Sequence, residues 1–75
     1  MPHADYALPR ETAAILARNA SCAKRLATWY SSGNPGQAIS ALRSACTSLL
    51  ANGAALEPED REAVAMTLAD IEPLR

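Results

Sequence analysis

Phenylalanine is absent from this chain, and Tyr6, Trp29 and Tyr30 are its only aromatic residues. Aromatic side chains bury more area than any others, so a 75-residue chain this poor in them has little to build a core from. The hydrophobic fraction of 49% does not change that, because alanine supplies much of it and buries little area. A domain of this size buries only about 60% of its unfolded surface. Its thin core therefore calls for a supplement: a second copy, a disulfide or a bound partner.

Other absences exclude whole classes of chemistry. His3 is the single histidine and stands near the start, so Ser21 and Ser44 have no base to activate them as nucleophiles. Two cysteines and that histidine are too few for a four-ligand metal site. No catalytic residue, cofactor or metal is expected, and the chain reads as a non-enzyme. The net charge is −1, without the basic stripe of a nucleic-acid binder. No run approaches the roughly 20 apolar residues of a membrane span. The opening Met1-Pro2-His3-Ala4-Asp5 has neither a basic nor an apolar leader segment, so the cytoplasm is the expected location. The richness in Ala and Arg suits a high-GC bacterial, plasmid or phage gene.

What is present is helical punctuation. Pro9, Pro35 and Pro58 each precede an apolar-periodic run, and the first helical position tolerates proline because its N–H has no partner there. Asn34, with Gln37 three residues on, reads as an N-cap and capping box. Gly33 and Gly53 stand where left-handed C-caps are expected, and Pro73 closes the last run. The reading is an all-α fold: an antiparallel bundle of three helices over 9–31, 35–52 and 58–72, preceded by a flexible arm at 1–7, with 8–75 as one domain.

At 100° per residue each helix acquires a face. The first presents Leu8, Thr12, Ile15, Asn19, Cys22, Leu26 and Trp29, with Leu16 and a smooth flank of Ala20, Ala23 and Ala27 where another helix can approach closely. The second presents Ala38, Ile39, Leu42, Ala45, Cys46, Leu49 and Leu50, broad enough for two neighbours. The third presents a narrow seam of Val64, Leu68 and Ile71. Asn19 falls within the first stripe, where it either needs buried partners or sits at the stripe's edge.

Cys22 and Cys46 lie 12 residues before and after Asn34. At 1.5 Å of rise per residue both stand about 18 Å from the turn. They are candidates for a disulfide or for two adjacent reduced core thiols, the second being the expectation in a reducing compartment.

Charge is unevenly spread. Residues 1–56 carry Arg10, Arg18, Lys24, Arg25 and Arg43 against Asp5 and Glu11, a balance of +3. Residues 57–75 carry Glu57, Glu59, Asp60, Glu62, Asp70 and Glu72 against Arg61 and Arg75, a balance of −4. Candidate partner contacts are Arg18, Arg25 and Arg43, the small polar face Ser40, Ser44 and Thr47 of the middle helix, and Met66, which projects opposite the third helix's seam. These features point to a protein-interaction module: an adaptor, chaperone or inhibitor of a larger protein, or a homodimer. The alternative is a small DNA-binding regulator, against which stands the acidic third helix that would have to read bases.

Trp29, Gly33, Ala38 and Ala45 follow the spacing at the turn of a tetratricopeptide repeat, which the segment resembles over about 20 residues. Leu26 replaces that family's first-helix glycine, Leu50 its closing proline, and no second copy follows. The resemblance implies helical-hairpin geometry, not membership.

Overall fold

The computed structural model describes residues 6–52 and 56–74. Four α-helices account for most of them: α1 Arg10–Arg18, α2 Ala20–Ser31, α3 Pro35–Ala51 and α4 Pro58–Ile71, with no strand among the described residues. The all-α class holds, but the count is four rather than three. The expected helix over 9–31 breaks at Asn19, whose backbone is extended at φ −100° and ψ 118°.

The break follows from side-chain chemistry, since neither Gly nor Pro stands there. Asparagine's short amide competes with the backbone for hydrogen bonds and favours caps over helix interiors. Here Asn19 Oδ1 accepts from the Ser21 N–H at 3.1 Å, the Cys22 N–H at 3.2 Å and the Ser21 hydroxyl at 2.8 Å. Its own N–H donates to the Leu16 carbonyl at 3.2 Å. One residue thus ends α1 and starts α2. The continuous first helix is corrected, and of the two readings of Asn19 the edge one fits: it is a half-buried cap.

At the next turn, Asn34 caps α3 as expected, accepting from the Gln37 N–H at 3.0 Å, and Pro35 follows in the first helical position. The reciprocal half of the capping box is absent. Ser32 supplies it instead, accepting from the Asn34 N–H at 3.1 Å and donating to Gln37 Oε1 at 3.4 Å. Gly33 does not form a left-handed cap; α2 ends at Ser32 in extended backbone, φ −72° and ψ 133°. Gly53 lies outside the described residues. Glu59 and Asp60 occupy the first turn of α4, where the helix dipole favours negative charge.

The three-residue turn reverses the chain, so α2 and α3 run antiparallel and bury the largest shared interface. α3 also meets α4, and α1 bridges α2 and α4, so that α2 and α4 sit on opposite sides of the bundle with α1 and α3 between them. The core is Ile15, Leu16, Cys22, Leu26, Trp29, Ala38, Ile39, Leu42, Ala45, Cys46, Leu49, Val64 and Ile71. Burying a leucine such as Leu42 contributes about 1.5–3 kcal/mol.

On α4 the expected seam is modified. Val64 and Ile71 are buried, Leu68 only partly, and Thr67 takes the central place. Thr67 faces Thr12 of α1 with their hydroxyls 2.9 Å apart, and Thr67 also donates to its own helix at the Ala63 carbonyl, 3.0 Å. Of the expected arm at 1–7, residues 1–5 lie outside the described ones. Tyr6 packs edge-on against Trp29, with ring centroids 6.2 Å apart at 71°. No described helix is long and apolar enough to cross a membrane.

Candidate functional site

A cleft of about 400 Å³ opens where three helix ends converge. Ile15 of α1 and Leu49 of α3 form its apolar floor with Leu56, while Arg18, Asn19, Asn52, Glu57 and Asp60 line its polar rim. Arg18 Nη2 stands 3.7 Å from Asp60 Oδ2. With the arginine side chain 70% exposed, that pair contributes at most about 1 kcal/mol. The rim supplies charges of both signs but no nucleophile beside a base, and no group of three metal-ligating side chains occurs among the described residues.

The two thiols lie together in the hairpin core, unbridged. Cys22 Sγ donates to the carbonyl of Ala45, the residue before Cys46, at 3.4 Å. Burial pushes the Cys46 thiol up to about 11, and the neighbouring Cys22 adds to the shift. A thiol held protonated in this way is a poor nucleophile and a poor ligand. The Tyr6 phenol is also raised, chiefly by burial, with Thr67 lowering it and Asp70 and Cys46 raising it. Its oxygen is buried and makes no hydrogen bond of ordinary geometry.

Three of the candidate contact residues are engaged inside the molecule: Arg18 with Asp60, and Arg43 and Arg25 with backbone carbonyls. Arg43 reaches across to the end of α4, donating to the carbonyls of Leu74 at 3.0 Å and of Ile71 and Glu72 at 3.4 Å. It satisfies carbonyls that a helix C-terminus leaves unpaired. Arg25 donates to the carbonyl of Ser21 at 3.0 Å, one turn back on its own helix. Ser40, Ser44 and Thr47 are exposed along α3, as the helical spacing predicts. Met66 is 63% exposed on α4.

No protein-family model, no curated protein and no solved structure matches this chain. Its own surfaces carry the functional reading.

Those surfaces fall into three kinds. The outer face of α3 is small and neutral, with Ser40, Ser44, Thr47 and Ala51. α2 carries Lys24 and Arg25 and no carboxylate. α4 carries Glu59, Asp60, Glu62 and Asp70 against Arg61 alone. The sequence reading did not single out Tyr30, which is 59% exposed at the end of α2. Its signal was there: Trp29 occupies the buried stripe, and the next residue lies 100° around the helix, off that stripe.

Proposed function

We propose that this chain is a small, non-enzymatic, cytoplasmic protein-interaction module that acts through the outer faces of its helices. The observation that supports it is Met66. A long apolar side chain stands 63% exposed on α4, between the exposed carboxylates of Glu62 and Asp70. Methionine adapts its shape to a partner, and carboxylates around it select a cationic one. Chemical cross-linking in the host cell, comparing the wild type with Met66→Asp, tests this. A cross-linked species that the wild type forms and the variant loses is the expected result; identical patterns for both overturn it.

A second reading, a DNA-binding regulator, draws on the cationic α2, which has no carboxylate to repel phosphates. Against it, Arg25 is already engaged and the last helix is acidic. Retention of duplex DNA in a low-salt gel shift would favour this reading, and its absence removes it.

A further inference from the structure

We propose that the partner of the α4 face is a second copy of this chain, with the outer face of α4 in one molecule docked on the outer face of α2 in the next. This rests on the interaction-module reading and names its partner.

Charge complementarity carries the inference. Tyr30 and Met66 are the large hydrophobic side chains that the described residues leave exposed. They sit one each on the two helices of opposite sign, the cationic α2 and the anionic α4. On α2, Ala20, Ala23, Ala27 and Tyr30 recur at steps of three, four and three residues and so share one side of the helix. On α4, Glu59, Glu62, Met66 and Ala69 recur at the same steps. The alanines carry only methyl groups and leave room for a close approach, and Met66 is a long, pliable side chain to meet them. Tyr30 offers the ring edge that a thioether favours. Lys24 borders the alanine ridge, and Glu62 stands one turn before Met66 on the same side of α4, so that pairing the two faces brings unlike charges together.

The chain does not cover these faces itself. Ala20 and Ala27 are exposed and Ala23 is half-buried, although their smooth flank was expected to receive another helix. The two faces cannot meet within one molecule, because α1 and α3 stand between α2 and α4. The contact is therefore heterologous, and it adds copies head to tail instead of closing a two-fold dimer.

Sedimentation velocity of the full chain tests this. At low salt the weight-average mass is expected to rise with concentration past that of a dimer. It should fall back in about 1 M salt, where the screening length is about 3 Å. Glu62→Lys and Lys24→Glu, both at exposed positions, each set like charges across the contact and are expected to weaken association about tenfold or more. An equimolar mixture of the two variants is expected to recover the association that neither shows alone. A monomer at every concentration overturns the proposal, as does association indifferent to both reversals. Those failures are distinguishable from failure of the broader reading. Self-association through another face, or a different protein cross-linked in a Met66-dependent way, would leave the interaction module standing without this partner.

Discussion

Two of the interfaces in this bundle differ in kind. Between α2 and α3 the buried groups are Cys22, Leu26 and Trp29 against Ile39, Leu42 and Cys46, all apolar or nearly so. Between α1 and α4 the centre is a pair of hydroxyls, Thr12 and Thr67, with the unsatisfied Tyr6 phenol near Thr67. Apolar packing is strong and tolerant of small shifts. A buried hydrogen bond adds only about 0.5–1.5 kcal/mol net, yet it penalises misalignment, because a hydroxyl left unpaired there loses its water and gains nothing. The hairpin supplies cohesion, and the threonine pair fixes how α1 lies on α4.

Breaking the hairpin should have the largest effect. Trp29→Ala removes its one buried aromatic side chain and the surface on which Tyr6 rests. A loss of about 3–5 kcal/mol is expected in urea unfolding followed by circular dichroism, enough to abolish the fold of a small domain. Breaking the other interface should cost less. Thr67→Val keeps the shape but leaves the Thr12 hydroxyl with only a long 3.5 Å approach to the Ala63 carbonyl. That variant should lose about 1–3 kcal/mol, while the double variant with Thr12→Val regains most of it because neither hydroxyl is then stranded. A double variant as unstable as the sum of the singles would show that the pair is not a unit.

Asn19→Ala tests the joint between the two interfaces. It deletes the cap of α2 and should cost about 1 kcal/mol, read from the shift of the urea midpoint. The last effect is absent at neutral pH. Cys46 ionises near 11 in the folded chain against an ordinary 9.0, so the folded state holds its proton more tightly than the unfolded one. Its contribution is fully present below about pH 9 and is lost as the pH rises toward 11. Cys46→Ala should flatten the decline of stability over that window, and an unchanged slope would remove the thiol as its cause.

The sequence reading and the structure agree where one residue's local chemistry decides the outcome. Pro35 and Pro58 start helices, Asn34 caps one, and the Ala38–Leu49 stripe is buried throughout. They part where a polar residue does work that a hydrophobic pattern assigns to apolar ones. Asn19 lies on the inward stripe at helical spacing, and only its capping chemistry reveals the break. Thr67 falls three residues after Val64 and four before Ile71, so its burial was legible from spacing; its hydroxyl hid it. Arg43 counted as a surface charge, because the carbonyls it serves lie 28 to 31 residues away in sequence. Fold class and core followed from periodicity, while the long-range polar contacts depend on how the helices meet.

The threonine pair has a further consequence, for the order in which the chain folds. Thr12 and Thr67 are 55 residues apart in sequence, whereas Cys22 and Ala45 are separated by 23. Closing the longer loop costs more chain entropy and gains only one hydrogen bond at its centre, so the hairpin should form the folding nucleus and α4 should dock onto α1 afterwards. Conservative substitutions at Leu26 and Leu42 should then slow folding, whereas those at Thr12 and Thr67 should mainly speed unfolding. The reverse pattern in stopped-flow kinetics would place the nucleus at the other end of the chain.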